Sequence, residues 1–362
     1  MKYRELFKEV KFGRWSDTSV SGCRLPVIQM LIKLLIAAMD SDYAGHLSGF
    51  ISVYYADAVS VSVCSSAGGL SDLLASQRFD VALLDAEMAE GADLRYVHMP
   101  LLLWAEEEQS AEPDRDLKKV RKYQRISSIV ADVLERYAKV TSNSHSPDLR
   151  RARVTAVWSP AGGVGKTTVA LAFANSKAAG GKQAMYLNLE QFSSVPAYFA
   201  ESGKSISSVF EMLEAEEGNL KMLIRGLSCR NNGVTYFCRP ENFDDMNILS
   251  AENIAVLIGA CSELTDELII DMSCFCGERE RQVFELADRI LLVTDTSGTA
   301  VTKLSQFASQ HNVFECIKTK STLVNNMGAV ATKPHVDSVI FLPLVQSSDT
   351  YAVYKTLSAS IV

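Results

Sequence analysis

The stretch from Val154 to Glu190 constrains this chain more than any other. It begins Val-Thr-Ala-Val-Trp-Ser-Pro-Ala-Gly-Gly-Val-Gly-Lys-Thr-Thr-Val-Ala-Leu-Ala-Phe-Ala and ends, from Ala184, Ala-Met-Tyr-Leu-Asn-Leu-Glu. An apolar run, Val154 to Trp158, leads into a glycine loop, and a helical pattern follows at once from Thr168. Strand, glycine-rich loop closing in Gly-Lys-Thr, then helix is the context that a phosphate-binding loop requires. Gly162, Gly163 and Gly165 let the backbone turn the N–H groups of residues 162–168, Val164 and Thr168 included, toward an anion that side chains would block. The helix opening near Lys166 adds its positive dipole end. Lys166 can reach the β- and γ-phosphates of a nucleotide, and the Thr167 hydroxyl can ligate Mg²⁺. A glycine turn that binds nothing is the competing reading, and the strand–helix context argues against it.

Gly-Gly-Val-Gly-Lys-Thr-Thr resembles the deviant Walker A loop of the MinD/ParA ATPases. Pro160 stands where the usual loop begins with glycine, and Ala161 stands where that family carries a second, signature lysine. In the family this lysine reaches the partner's phosphates across a nucleotide-sandwich dimer. The resemblance therefore implies ATP and Mg²⁺ as cofactors and a homodimer, with hydrolysis slowed by the missing charge. The next strand, Gln183 to Leu189, resembles the family's D-x-D strand but reads Asn188-Leu-Glu190. Glu190 keeps a carboxylate for positioning the attacking water, on an arm longer by about one C–C bond, ~1.5 Å.

Further along, Glu267-Leu-Ile-Ile-Asp271 has the Walker B arrangement, a buried strand delivering Asp271 to Mg²⁺. Asp288 to Thr294 and Ser321 to Asn326 read as the following strands. Asn325 resembles the strand-terminal Asn that contacts adenine in the family, although an Asn pair also suits a plain turn. Pro343, after the apolar run Val339 to Leu342, is assigned to the same nucleotide site, and Tyr351 to Leu357 reads as a closing helix.

The first part of the chain alternates strand and helix patterns. Leu31 to Met39, Val59 to Cys64, Asp80 to Asp85, Pro100 to Ala105 and Val120 to Tyr123 read as strands. Tyr43 to Ala58, Leu70 to Gln77 and Ile126 to Val140 read as helices. Such alternation implies a parallel sheet whose carboxyl edge carries Asp40, Asp42 and Asp85. The arrangement resembles a response-regulator receiver, flavodoxin-like in fold, with Asp85 at the phospho-acceptor position and Lys122 at the fifth-strand lysine. Ala105 replaces the hydroxyl residue of receivers, and Tyr123 the proline after the lysine. The segment 105–119 is too polar and too short for the usual helix, which would leave the face between the fourth and fifth strands open to a partner. The acids accordingly read as solvated strand ends rather than as a phosphorylation site.

The expected organisation is a flexible segment 1–29, a receiver-like domain 30–140, a polar linker 141–150 and an ATPase domain 151–362. The fold class is α/β, two three-layer domains built on parallel sheets. The formal charge of −7 is shared evenly, with 17 Lys/Arg against 20 Asp/Glu in residues 1–145 and 19 against 23 in the rest. Neither part is a basic nucleic-acid binder by bulk charge. The eight cysteines contain no C-x-x-C pair. Cys274 and Cys276, the close pair, read as apolar packing beside a strand rather than a metal site. Reduced thiols, no apolar run near 18 residues and no signal-like start lead us to expect a cytoplasmic chain without an integral membrane segment.

Receiver-like domain, short linker and MinD/ParA-like ATPase together resemble the TadZ/CpaE pilus-assembly proteins, which help place the Flp (tight-adherence) secretion machinery at a cell pole. The resemblance spans roughly residues 30–360 and rests on domain order and the degraded receiver as well as on the loop. It implies partners in the pilus machinery and recruitment to a pole at the inner face of the membrane. Two other roles fit the ATPase loop. A ParA-like DNA-partition ATPase would want a basic surface. A MinD-like division-site regulator would want a basic amphipathic C-terminal helix, whereas Tyr354-Lys-Thr-Leu-Ser-Ala-Ser-Ile-Val362 carries one Lys.

Overall fold

A computed structural model describes residues 31–56, 58–105, 117–141, 151–200, 205–215, 218–328 and 336–361. The expected flexible segment 1–29, most of the linker and residues 106–116 of the polar stretch lie outside these residues.

The first sheet has the parallel order β2-β1-β3-β4-β5, from β1 (Ile32–Ala37), β2 (Val59–Cys64), β3 (Phe79–Asp85), β4 (Val97–Trp104) and β5 (Lys118–Arg121). That is the doubly wound flavodoxin-like order, in which the strand sequence reverses beside β1 and β3. Alternation sorts the side chains. Leu34, Ile36, Val81, Leu83, Leu101 and Leu103 face α1 (Ser41–Tyr54) and α4 (Ile126–Val140). Leu35, Ala37, Ala82, Leu84 and Leu102 face α2 (Ala67–Ser76) and the one-turn α3 (Ala86–Ala89).

The second sheet has eight strands in the order β13-β12-β11-β6-β10-β7-β9-β8. Its strands are β6 (Arg153–Trp158), β7 (Ala184–Asn188), β8 (Cys229–Asn231), β9 (Val234–Tyr236), β10 (Glu267–Asp271), β11 (Arg289–Thr294), β12 (Ser321–Asn325) and β13 (Ser338–Phe341). All pairings are parallel except β8–β9, a hairpin that closes one edge antiparallel. α5 (Lys166–Ala179) and α12 (Thr350–Ser360) cover one face, over Val157, Tyr186, Ile269, Leu291 and Val324. α6 (Ser207–Ala215), α7 (Leu220–Leu227), α8 (Ala251–Ser262), α9 (Glu278–Leu286), α10 (Gly298–Ala308) and α11 (His311–Lys318) accompany the other face, over Ala156, Trp158, Leu187, Ile270 and Leu292.

α4 belongs to both cores. Ile129, Val130, Val133, Leu134 and Tyr137 pack on the first sheet, while Ala131 and Ala138 join the core of the second. α7 meets it at Gly226, where an added Cβ would lie 2.9 Å from Leu134 Cβ. The N–H of Asn219 then donates to the carbonyl of Ala138 at 2.6 Å. The boundary expected at residue 140 therefore follows a helix clamped between the two sheets, and no larger residue fits at Gly226 without moving it.

Candidate functional site: the phosphate-binding loop and its acidic neighbours

β6 lies between β11 and β10, so the loop after it opens at the centre of the sheet's carboxyl edge. Gly163 (φ +79°) and Gly165 (φ +86°) adopt the left-handed conformation that glycine takes at no steric cost. A Cβ at Gly165 would also lie 2.4 Å from Asn326 Nδ2, so that position is closed to other residues twice over. Gly162 and Gly163 are exposed, and a Cβ on either would meet nothing within 4 Å; the loop mouth is open. α5 begins at Lys166 with Gly165 as its N-cap, which provides no side-chain hydrogen bond to the first N–H groups. A helix start without a side-chain cap, at the end of a glycine loop, leaves those donors for an anion. Ala161 is buried in the loop, its N–H donating to Ser159 Oγ at 3.1 Å.

The parallel register of β10 and β7 sets Asp271 opposite Asn188. Lys166 and Thr167 converge on the loop after β7. Lys166 Nζ lies 3.7 Å from Glu190 Oε1, and Thr167 Oγ1 donates to Glu190 Oε2 at 3.4 Å. Asp271 is fully buried; its Oδ2 accepts a 2.8 Å hydrogen bond from Tyr186, whereas Oδ1 has no hydrogen-bond partner among the described residues. Burial, and then the charge of Glu190, push the Asp271 carboxyl up to about 7. Burial also raises Glu190, with Lys166 opposing the shift. A buried acid, Asp271, and a half-buried one, Glu190, against one ammonium leave the site short of positive charge, which a divalent cation would supply. No group of three or more His, Cys, Asp or Glu among the described residues could hold a metal unaided. The donor set of Asp271 and Thr167 instead fits Mg²⁺ completed by phosphate oxygens and water.

The raised carboxyl has a consequence for the metal-free protein. Between the unfolded value near ~4 and the folded value of about 7, the folded state binds more protons than the unfolded. Stability is therefore greatest below that window and falls as pH rises through it. In EDTA the wild type should lose more unfolding temperature between pH 5 and pH 7.5 than Asp271→Asn does, by roughly 2 °C or more. Parallel melting curves for the two proteins would contradict this.

The family resemblance assigns adenine to Asn325, and Pro343 to the same nucleotide site. Asn325 is fully buried on the strand face shared with Leu323, and neither its amide oxygen nor its nitrogen has a partner among the described residues. Asn326 touches the loop itself, donating from Nδ2 to the carbonyl of Val164 at 2.9 Å. Residues 325–328 are tied to the segment leading into the exposed Pro343 by Gly328 N–H to Leu342 O (3.0 Å) and Leu342 N–H to Asn325 O (2.8 Å). Sequence reasoning missed Asn326 and Tyr186. The available signal was parity: Asn326 shares a face with Val324, and Tyr186 with Asn188, on the side that α5 covers.

No family model matches the chain, and no curated protein matches it. Solved structures similar to it include a ParA family ATPase from Chlorobium tepidum TLS, at 16% identity and a TM-score of 0.49, over 58% of this chain and 96% of that one. The septum site-determining protein MinD from Pyrococcus horikoshii OT3, complexed with Mg-ADP, has 13% identity and a TM-score of 0.43, over 57% of this chain and 94% of that one. Cobyrinic acid a,c-diamide synthase from Mycobacterium smegmatis has 17% identity and a TM-score of 0.42, over 57% and 93%. These likenesses are distant, and the chemistry of the site is carried by its own residues.

Of the acids of the first sheet, Asp40 and Asp42 are exposed, as the sequence suggested, whereas Asp85 is not a solvated strand end. Asp85 is buried and paired with Lys122 at 2.8 Å, and its Oδ2 accepts from the N–H of Met39 at 2.9 Å. Asp40 caps α1, accepting from the N–H groups of Asp42 and Tyr43, both at 3.0 Å. Tyr123 has a left-handed backbone (φ +57°) and meets Tyr43 edge-on at 5.3 Å. Of the close cysteine pair, Cys276 packs half-buried against the core as expected, whereas Cys274 is exposed. Cys229 and Cys238, nine residues apart, are buried with sulfurs 3.7 Å from each other. The β8–β9 hairpin brings them together, and linear spacing does not reveal it.

Proposed function

We propose that the protein is an ATP-binding, dimerising switch that hydrolyses ATP slowly and acts as a localisation factor for a Flp/Tad-type pilus machine. The observation that carries the nucleotide reading is the constellation itself. An open glycine loop and uncapped helix start carry Lys166 and Thr167 against Glu190, beside a buried Asp271 with one unpartnered oxygen among the described residues. In this reading the loop N–H groups and Lys166 take the phosphates. Thr167 and Asp271 hold Mg²⁺, and the exposed Pro343 segment borders adenine, with the buried Asn325 beneath it. Mg²⁺ bound there would neutralise charge on the phosphates and at Asp271. Lys166 and Thr167 both face Glu190, which sets its carboxylate where it can orient a water beside the phosphates.

Dimerisation is supported by apolar side chains around the loop mouth. Phe192 follows Glu190, Phe275 follows Asp271, and Met327 and Leu344 follow the two segments beside the loop; all four are exposed. A second copy covering this edge would remove them from water. The pilus role rests on the order of a degraded receiver before the ATPase. The acidic balance of residues 146–362 (19 Lys/Arg against 23 Asp/Glu) disfavours DNA partition. Among the described residues no helix is long and apolar enough to cross a membrane. α12 is committed through Tyr354 and Leu357 to the core beneath α5 rather than to a membrane surface.

Sizing the full chain with and without ATP and Mg²⁺, while following phosphate release in the same samples, tests this reading. The expected result is a doubling of mass with nucleotide and little phosphate released. A monomer under both conditions would remove the dimer from the account.

A further inference from the structure

Asn188 stands where the MinD/ParA pattern has an acid, and by sequence alone it reads as a loss. The hydrogen bonds around it give the amide a role. Tyr186, two residues earlier on the same strand face, is fully buried and donates its one hydroxyl proton to Asp271 Oδ2 at 2.8 Å. A hydroxyl that has given its proton away can only accept from another neighbour. Asn188 Nδ2 supplies that donor at 3.2 Å, and also lies 3.2 Å from Ser193 Oγ. The orientation of the amide is set by its other end, where Oδ1 accepts the N–H of Glu190 at 2.7 Å. Ser193 Oγ in turn accepts the N–H of Val195 at 3.3 Å. A carboxylate at 188 would compete with Asp271 for the tyrosine's only proton and bring a further negative charge beside Asp271 and Glu190.

We infer that Tyr186 and Asn188 form a matched pair of positioning residues. Tyr186 fixes the Asp271 carboxylate with Oδ1 left over for the divalent cation of a bound nucleotide, and Asn188 ties that carboxylate to the loop carrying Glu190 and Phe192. The inference rests on the nucleotide reading above. Groups that orient a metal ligand without touching the metal typically change metal affinity by ~10–100-fold when removed. An amide at 188 thus complements Tyr186, where a carboxylate would compete with Asp271.

The test is ATP affinity of the full-length protein measured across a Mg²⁺ titration, and again in EDTA. Tyr186→Phe should raise the Mg²⁺ concentration at half-effect by ~10-fold or more and leave the affinity in EDTA within about twofold. Asn188→Asp should shift the Mg²⁺ requirement in the same direction, and the double variant should shift it by less than the product of the two. A residue that only supports packing would lower the melting temperature of both variants without moving the Mg²⁺ midpoint. That outcome, or a wild-type Mg²⁺ midpoint in Tyr186→Phe, overturns the inference while the nucleotide site stands. If the wild type itself shows no Mg²⁺-dependent binding, the site reading fails and this inference with it.

Discussion

Lys166→Ala should weaken Mg²⁺-dependent ATP binding by at least ~100-fold. Lys166 is buried at the head of α5, and the carboxylate it faces, Glu190, is 3.7 Å away. An ammonium held there is prepaid for phosphate: its burial is already accomplished and its direction set by the helix. Charge-assisted hydrogen bonds contribute about 1.5–3 kcal/mol each. Two such contacts, to the β- and γ-phosphates, correspond to a factor of ~10²–10⁴ in Kd. The loop N–H groups remain in the variant, so weak binding at millimolar nucleotide is compatible with the argument. Displacement of a fluorescent ATP analogue measures the change, with a melting curve to confirm that the variant folds. Equal affinity in wild type and variant would show that the loop does not serve phosphate.

The second large effect concerns Ala161. A sandwich dimer of the expected kind would need a cation from each partner's loop as the terminal phosphate bond breaks, and Ala161 supplies none. Loss of a positioned electrostatic donor costs on the order of 10²–10³ in rate. The wild type should therefore turn ATP over very slowly, and Ala161→Lys should raise phosphate release. The structure limits the size of the gain. Ala161 is buried against Val164 and its neighbours, so a lysine there must run outward before its ammonium reaches solvent or a partner. Glu190 also begins from a position held by Thr167. Partial recovery is the expected result. Brisk wild-type hydrolysis that Ala161→Lys leaves unchanged would refute the claim that the missing charge limits the rate.

The sequence exposed those parts of the fold that local pattern controls. Glu267–Asp271 and Ile126–Val140 have the same bounds in the structure as in the pattern, because a buried strand and an amphipathic helix write their periods directly. Alternation of strands and helices implied the parallel sense of the first sheet, whereas its order β2-β1-β3-β4-β5 is set by packing across the sheet. The helices α9, α10 and α11 went unread: α9 is charged along most of its length, Glu-Arg-Glu-Arg-Gln-Val-Phe-Glu-Leu, and buries only Val283 and Phe284. The β8–β9 hairpin was hidden for another reason. A three-residue strand, Cys229–Asn231, carries too little pattern to announce itself before Asn232-Gly233.

At the candidate site the loop, Glu190 and Asp271 were legible as motif positions. Their neighbours were not, because they are defined by register across strands rather than by spacing along one. Asp85 shows the same limit. An acid at a strand end looks solvated until β5 delivers Lys122 beside it. Asn188 looks like a lost acid until Tyr186 supplies the reason for an amide.

Calorimetric titration of ATP into the full-length chain in the presence of Mg²⁺ tests the central claim most directly. The account predicts a saturable heat with one nucleotide per chain, weakened when EDTA removes the cation and weakened by at least ~100-fold when Lys166 is replaced by alanine. Absence of saturable binding at millimolar ATP and Mg²⁺, or binding that Lys166→Ala leaves intact, would contradict it.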